Sequence, residues 1–345
     1  MDERRFSQVL KAIEGGLSAE QLIRLEAAVR RAVSAERVTT EITRRGAEIA
    51  EARRCPHCGN ERVAKHGRDH LGRQRFRCVA RSREHCGATF NTLTGTPLAR
   101  MKKADKWLGY VAQMGEHRSC ARIAESGLGI SKTTAWRWRH RFLAIPKTMM
   151  PAAVEGIVEV DETFFRSSHK GSRGWARGRS PAPRMPRYRG GPAMKPGRSK
   201  EQVAILTAVD RSRGAVEAVM GDLTHEAVCA ELAGRIAPGS VVCSDGYGAY
   251  PKAAVAAGSE HRRILPPKTD WLTKAKGQRP RRKGRLGLGR VNGHHQTLDT
   301  LINRKARGVS TRYLDAYLGW NRFMTLSGRA PEELIGIAIQ RGTPR

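Results

Sequence analysis

The sequence predicts an α/β core built on a mixed five-stranded sheet, preceded by a helical segment, a cysteine-containing module and a helical hairpin. Three observations predict this organisation. Strand-like and helical segments alternate after residue 154, four cysteines lie close together between residues 55 and 86, and residues 120–142 form two helical patterns separated by glycines. The predicted boundaries are 1–52 for the helical region, 53–97 for the cysteine module, 98–150 for the hairpin, and 151–345 for the α/β domain with a basic insertion at 166–200.

The amino-acid composition indicates which class of molecule the protein binds. The chain has 64 Lys and Arg against 32 Asp and Glu, a formal charge of +32, which predicts electrostatic binding to nucleic acid. A ribosomal or histone-like protein would share this charge, but 345 residues with 39% hydrophobic content can fill several cored domains. No apolar stretch has the length of a signal segment or membrane span, so we expect no membrane association and a cytoplasmic, nucleoid-associated protein.

The first segment reads as helical. Ser18 is a plausible N-cap, followed by Glu20 and Gln21 in the first turn. Apolar residues then recur at helical spacing at Leu22, Leu25, Val29 and Ala32. Packing, self-association and DNA contact all remain open as roles for this region.

Four cysteines predict a metal site. Cys55 and Cys58 form a Cys-Pro-His-Cys sequence, Cys78 follows after 19 residues, and Cys86 after seven more. This spacing is typical of a zinc ribbon, in which one structural Zn²⁺ supplies folding energy to a small segment. A redox dithiol is the alternative, but it would need a preceding strand and a following helix. The nearby histidines, His57, His66 and His85, are possible substitute ligands.

Residues 120–142 predict a helix-turn-helix. Gly127-Leu-Gly129 separates the two helices, and Ser131 caps the second. The residues expected to pack inward are Ile123, Ile130, Ala135, Trp138 and Phe142. Those left for solvent or DNA are Lys132, Thr133, Arg137, Arg139 and Arg141. Many helical hairpins bind nothing, but the basic chain and the neighbouring cysteine module favour DNA.

The α/β segment has the element order of a ribonuclease-H-like fold. The predicted strands are 157–165, 202–210, 214–220, one ending at 245, and 262–265; the predicted helices are 224–236, 250–257 and 292–304. In that fold the first and fourth strands are neighbours, so Asp161 and Asp245 are expected to converge despite lying 84 positions apart. Two adjacent carboxylates repel unless cations lie between them, and divalent metal held against phosphate is a reason to keep them.

Each aspartate also has a simpler structural explanation. Asp245-Gly246 is a common turn pair, whereas Asp161 lies inside a β-prone run and is poorly explained as a turn or cap. Strand alternation sends Glu162 to the opposite face, so we expect it to be exposed or salt-bridged and do not count it as a ligand.

Several motifs together resemble DDE-type transposases of bacterial insertion sequences. They are Val158-Glu-Val-Asp161-Glu-Thr-Phe-Phe165, Val242-Cys-Ser-Asp245-Gly-Tyr247, Val291-Asn-Gly-His-His295-Gln-Thr-Leu298, Tyr317-Leu-Gly-Trp320, and Phe90-Asn-Thr-Leu-Thr-Gly-Thr-Pro97 after the cysteines. The sequence is most similar to the group with an N-terminal zinc ribbon, described as ISXO-two-like, of the IS-fifteen-ninety-five family.

The resemblance implies a metal-dependent DNA transposase. Such an enzyme nicks the terminal inverted repeats with two Mg²⁺ ions, for which Mn²⁺ can substitute, and joins the freed 3′-hydroxyl to target DNA. Asp161 and Asp245 take the first two ligand positions, Asn292 the third, and His295 matches the family histidine. Synapsis of two ends implies a homodimer or higher oligomer on double-stranded DNA.

Asp299 stands where relatives commonly carry a basic residue. Asn292, His295 and Asp299 share one helix face, so Asp299 is a rival third ligand, and a packed role for His295 also stays open. Because asparagine brings no charge, a catalytically inactive DNA-binding regulator or domesticated transposase is the alternative function. An RNA-directed ribonuclease of the same fold is a third possibility.

Two basic stretches are predicted to guide DNA. Residues 166–200 contain eleven Lys and Arg and no acids, and residues 274–290 contain eight Lys and Arg. The candidate DNA contacts in them are Lys170, Arg173, Arg177, Arg281, Arg282 and Lys283. Solvated loops are the alternative explanation.

Overall fold

The chain forms two compact units. A computed structural model describes residues 3–70, 72–79, 86–171, 199–264 and 286–340, together with residues 193, 195 and 197. The first unit comprises residues 1–145 and 330–345, and the second comprises residues 146–329. Within these described ranges, no helix has both the length and the apolar character needed to cross a bilayer.

The first unit begins with two helices, α1 (Glu3–Glu14) and α2 (Ala19–Ala52). The predicted cap is confirmed: Ser18 Oγ accepts a hydrogen bond from the Gln21 main-chain N–H, and the Gln21 side chain accepts one from the Ser18 N–H. The apolar face stays largely accessible, since Leu22 is 41% and Val29 52% exposed.

A three-stranded antiparallel sheet follows. It consists of β1 (Val63–Arg68), β2 (Gln74–Cys78) and β3 (Thr89–Asn91) in that spatial order. Its small core stacks Phe76 on Phe90 with ring centroids 5.6 Å apart. So little apolar surface is marginal for an independent sheet, which is consistent with a need for bound metal.

Three helices complete the central part of this unit: α3 (Trp107–Gly115), α4 (Cys120–Glu125) and α5 (Lys132–Lys147). All five residues predicted to pack inward are buried. Ser131 Oγ accepts the Thr134 N–H at 3.2 Å, as expected for its capping position. The α4–turn–α5 hairpin therefore folds as the sequence pattern predicted.

The second unit contains the predicted mixed five-stranded sheet. Its strands are β4 (Ile157–Arg166), β5 (Gln202–Val209), β6 (Ala215–Met220), β7 (Val241–Ser244) and β8 (Glu260–Arg263). The spatial order is β6-β5-β4-β7-β8, with antiparallel pairing from β6 to β4 and parallel pairing from β4 to β8. The first and fourth strands are thus neighbours, which is consistent with a ribonuclease-H-like arrangement.

Helices cover both faces of this sheet. One face packs Val158 and Val160 against α6 (His225–Leu232) and α7 (Ala249–Ala256). The other packs Phe165 against α8 (Gly289–Asp299) and α9 (Leu314–Leu326). Because side chains alternate along β4, its odd-numbered residues face α8.

The last helix, α10 (Glu333–Gln340), packs within the first unit. Leu334, Ile335 and Ile339 are buried, and the Arg45 guanidinium donates to the Ile339 carbonyl. The sequence analysis assigned residues 151–345 to one domain, whereas the structure groups residues 330–345 with the N-terminal unit. The packing of α10 within the first unit accounts for the grouping of residues 330–345 with that unit.

Candidate active site and metal centre

Strand register brings the two aspartates to the same level of the sheet. Val158 pairs with Val242 and Glu159 with Cys243 on the parallel strands β4 and β7. Asp161 lies two residues beyond Glu159 in β4, and Asp245 lies two residues beyond Cys243, directly after β7. Neighbouring strands are about 4.8 Å apart. The Asp161 side chain is 22% exposed, while Asp245 is an exposed residue.

The electrostatics of Asp161 suit a cation site. The pKa of Asp161 is raised to about 6, chiefly by burial and also by the negative charges of Glu162 and Asp245, against a main-chain hydrogen bond that lowers it. The ionised form is therefore disfavoured until positive charge arrives. A divalent cation between Asp161 and Asp245 would supply that charge, and carboxylate oxygens are ligands that Mg²⁺ accepts.

Asp245 also takes part in a turn, as the Asp-Gly pair suggested. Its Oδ1 accepts the Tyr247 N–H at 2.9 Å, which orders the backbone after β7. This hydrogen bond fixes the direction of the carboxylate at the strand end, so turn formation and ligand presentation are compatible.

Glu162 lies on the opposite face of β4, as alternation predicted, but its environment differs from the expectation. Its carboxylate accepts the hydroxyl hydrogen bond of Tyr250, a fully buried residue on α7. Burial raises the Tyr250 pKa, and the charges of Glu162, Asp161 and Asp245 raise it further. Tyr250 therefore stays a neutral donor, and Glu162 is half-buried and hydrogen-bonded where an exposed or salt-bridged side chain was expected.

From α8, His295 approaches Asp161. The distance from His295 Nδ1 to Asp161 Oδ2 is 3.9 Å, longer than a direct hydrogen bond. Burial lowers the His295 pKa to about 4, with His294 adding to the effect, so the imidazole is neutral near pH 7. Its Nε2 is buried and has no hydrogen-bond partner among the described residues. A neutral, unpartnered imidazole beside an acidic pair is suited to bind a metal or a substrate group.

Asn292 and Asp299 lie on either side of His295 along α8. Asn292 is exposed and one turn earlier, while Asp299 is half-buried, one turn later, and accepts the Asn303 side-chain N–H at 2.7 Å. The structure thus places His295 beside Asp161, with Asn292 and Asp299 one helical turn to either side of it.

The four cysteines converge into a single cluster. Their sulfur atoms lie within 4.8 Å of one another, with Cys55 Sγ 3.6 Å from Cys86 Sγ and Cys58 Sγ 3.7 Å from Cys78 Sγ. Thiolates on one tetrahedral zinc are about 3.8 Å apart, so the donor set fits this ion. Main-chain N–H groups of Asn60 and Cys86 lower the pKa of Cys58 to about 6, whereas burial raises that of Cys78 to about 12. Of the alternative ligands, His57 instead packs edge-on against Phe90, and His85 lies outside the described residues.

Comparison with known proteins assigns the second unit to a protein family. Residues 153–324 match the ISXO2-like transposase domain, from just before β4 to within α9. The chain belongs to the ISXO2-like transposase family. A search of curated proteins gave no match. The matched domain of this transposase contains Asp161, Asp245, Asn292, His295 and Asp299, and the family uses divalent metals, in agreement with the acidic pair.

The DNA-contact residues expected in this transposase occupy different environments. On α5, Lys132, Thr133 and Arg137 are exposed. Arg139 instead donates to the Arg118 carbonyl, and Arg141 donates to the carbonyls of Pro97 at 3.0 Å and Ala99 at 3.2 Å. Their main-chain partners leave these two arginines less available to DNA than the sequence suggested.

In the basic stretches, Lys170 Nζ donates to the Gly308 carbonyl at 3.1 Å. The remaining candidates there, Arg173, Arg177, Arg281, Arg282 and Lys283, lie outside the described residues.

Sequence reasoning missed a cation against Gly246, the residue that follows Asp245. A Cβ added at Gly246 would lie 2.5 Å from Arg263 Nη2, so the guanidinium of this β8 residue lies against Gly246, the residue after Asp245. Its proximity depends on the parallel pairing of Ser244 with Arg263, which no local sequence signal reveals.

A buried polar network behind α8 was also missed. The Glu217 side chain is fully buried and contacts His294 Nε2 at 2.9 Å and the Arg322 guanidinium. Asn321 Nδ2 donates to Thr297 Oγ1 at 3.1 Å. These contacts connect β6, α8 and α9, and they keep the His295-bearing helix against the sheet.

Proposed function

We propose that this ISXO2-like transposase nicks the ends of an insertion sequence and joins the freed 3′-hydroxyl to target DNA by two-metal phosphodiester chemistry. The observation that carries the proposal is the placement of Asp161 and Asp245 at one level of adjacent parallel strands. It is supported by the raised pKa of Asp161 and by the family match over the same segment.

Asp161 and Asp245 are proposed to hold two Mg²⁺ ions, with Mn²⁺ as a functional substitute. When bound, such ions activate the attacking water or 3′-hydroxyl and stabilise the departing oxygen in an in-line displacement. Asn292 is proposed as the third, neutral ligand. His295, neutral and beside Asp161, is available to ligate or to accept a hydrogen bond, which an imidazolium could not do.

Cationic side chains are proposed to hold the DNA. Arg263 lies against Gly246, the residue after Asp245, and is proposed to pair with a phosphate oxygen of the bound DNA. Lys132, Thr133 and Arg137 form the exposed N-terminal part of α5, the position from which a recognition helix contacts DNA. The cysteine cluster is proposed to bind one structural Zn²⁺. Terminal inverted repeats and target DNA are the proposed substrates, with at least two protomers on paired ends.

A catalytically inactive DNA-binding protein is the second candidate. The exposed, uncharged Asn292 favours it, because the third ligand then adds no negative charge. The buried carboxylate of Asp161 argues against it. Keeping this group ionised next to Asp245 costs folding free energy, and a protein without bound metal gains nothing in return.

A nicking assay separates the two candidates. Duplex DNA carrying the inverted repeats that flank the gene is incubated with protein with and without Mg²⁺ or Mn²⁺. We expect metal-dependent nicks from the native chain and a loss of at least about 100-fold for Asp161→Asn. DNA binding without nicking by the native chain under both metals would favour the inactive protein.

The third ligand is tested in the same assay. Asn292→Ala should abolish nicking, whereas Asp299→Ala, which removes only the acceptor for Asn303, should retain it. The reverse result would assign the third position to Asp299.

A further inference from the structure

Glu159 is a buried carboxylate outside the proposed metal-ligand set. It lies on β4, two residues before Asp161, and is 3% exposed. Its Oε2 accepts the main-chain N–H groups of Arg290 at 2.7 Å and Val291 at 3.2 Å. These are the second and third residues of α8, whose N–H groups have no partner within the helix.

The helix lacks a cap of its own. Its N-cap residue is Leu288, which has no side-chain acceptor and makes no side-chain cap hydrogen bond. An N-cap side chain normally bonds to the N–H of the second or third helical residue. Glu159 makes those two bonds from a neighbouring strand, and its charge also complements the positive end of the helix dipole.

We propose that Glu159 is a positioning residue that sets the register of α8 along β4 and thereby places His295 and Asn292 relative to Asp161. Its part in catalysis rests on the proposed function, whereas its part in structure does not. Because Glu159 bonds main-chain atoms of α8, no side-chain rotation on the helix itself can relax the contact.

The geometry explains how the contact of Glu159 with Val291 controls the position of His295 relative to Asp161. Glu159 and Asp161 face the same side of β4 and are about 6.6 Å apart along the strand. Val291 and His295 are four residues apart, about 6 Å along the helix. The Glu159–Val291 and Asp161–His295 contacts are therefore spaced alike on both elements. A slip of α8 by one residue would rotate His295 by about 100° away from Asp161.

The second buried glutamate on this face acts differently. Glu217 contacts the side chains of His294 and Arg322, so it holds the middle of α8 through groups that have rotational freedom. Its contacts stabilise packing of the helix on the sheet but leave the position of the helix start to Glu159.

Two variants and one control test the proposal in the full-length chain. Glu159→Gln keeps an oxygen acceptor without charge, and Glu159→Ala removes the acceptor. The control is Val228→Ala, which removes buried apolar atoms on the opposite face of the sheet. The melting temperature of each variant is measured, so that the control and the Glu159 variants are compared at an equal loss of stability. Amide hydrogen exchange is measured without Mg²⁺ or Mn²⁺, and Mn²⁺ affinity by titration with electron paramagnetic resonance.

In Glu159→Ala we expect the amides of Arg290 and Val291 to exchange at least about 10-fold faster and Mn²⁺ to bind about 10- to 100-fold more weakly. Glu159→Gln should restore most of both properties, and Val228→Ala should change neither.

Unchanged exchange at Arg290 and Val291 in Glu159→Ala would overturn the proposal, as would an equal loss of Mn²⁺ affinity in Val228→Ala. If the native chain fails to nick DNA while both Glu159 effects are observed, the proposed function falls and the positioning role stands.

Discussion

At the scale of single residues, the central feature is a carboxylate placed where burial disfavours its charge. Asp161 lies inside β4 with Glu162 and Asp245 close enough to raise its pKa. In the absence of bound cations, this group should oppose folding at neutral pH. The folding free energy lost by keeping Asp161 ionised is a physical signature of a cation site. This loss can be measured without DNA.

Asp161→Asn should therefore stabilise the second unit in buffer lacking divalent metal. Because folding raises the Asp161 pKa to about 6, the ionised carboxylate opposes folding fully above that pH, and the penalty shrinks as the pH falls toward the ordinary carboxyl value. With the carboxylate partly exposed to solvent, we expect a gain of about 1–2 kcal/mol at pH 7.5 and less at pH 5. Urea unfolding at both pH values measures it.

Added Mg²⁺ provides the internal control for this substitution. It should stabilise the native chain more than Asp161→Asn. An Asn variant that is less stable than the native chain at pH 7.5 would contradict the interpretation.

At the scale of elements, the three-stranded sheet shares its core with the cysteine cluster. The sheet has a core of only a few apolar side chains, with Phe76 and Phe90 at its centre. Cys78 ends β2 and is buried in the same core. The proposed zinc ligands and the packed apolar core thus belong to one small module, so we expect loss of the metal to loosen the sheet.

Cys78→Ser should lose bound zinc and expose β1 and β2 to rapid hydrogen exchange, because three thiolates hold the ion much less tightly than four. Elemental analysis and exchange over residues 63–78 are the measurements. Cys120→Ser, which changes a cysteine outside the cluster, is the matched control and should keep its zinc. Full zinc content in Cys78→Ser would exclude Cys78 as a ligand.

The C-terminal helix α10 is a second element whose role is testable. Leu334 is fully buried within the first unit. Leu334→Ala should destabilise that unit by about 2–4 kcal/mol through loss of buried apolar surface and formation of a cavity. Ile23→Ala, which truncates a side chain that is 66% exposed in the same unit, should shift urea unfolding by less than about 0.5 kcal/mol. Equal effects would show that α10 contributes little to the first unit.

At the scale of the whole molecule, positive charge dominates. A formal charge of +32 predicts strong, salt-dependent binding to any duplex. Specific placement then depends on which cations contact phosphate. On α5 the exposed candidates are Lys132 and Arg137, whereas Arg139 and Arg141 have main-chain partners.

Replacing Lys132 and Arg137 together with Gln should weaken binding to duplex DNA and reduce the slope of log affinity against log salt by about 2, since each lost phosphate contact removes about 0.9. Fluorescence anisotropy at several salt concentrations measures the slope. Arg44→Gln is the control, because Arg44 is paired with Glu41 at 2.8 Å and Glu48 at 2.9 Å. An unchanged slope in the double variant would remove α5 from the DNA interface.

Much of the fold could be predicted because it follows from local patterns. The Ser18 cap, the inward face of the α4–α5 hairpin and the existence of the five strands as separate elements all reflect periodicity and capping within a few residues. The aspartates were identifiable for a related reason: a polar residue inside or directly after an apolar strand stands out against its neighbours.

By itself, the sequence determined the family, the charge that predicts DNA binding, and the residue types at the candidate sites. Only the tertiary structure decided which groups meet: His295 with Asp161, Arg263 with Gly246, Glu159 with the start of α8, and α10 with the first unit. The physical reason is range. Periodicity and capping are properties of adjacent residues, whereas these contacts join segments between 17 and nearly 300 positions apart, and they form only when strand register and apolar packing bring those segments together.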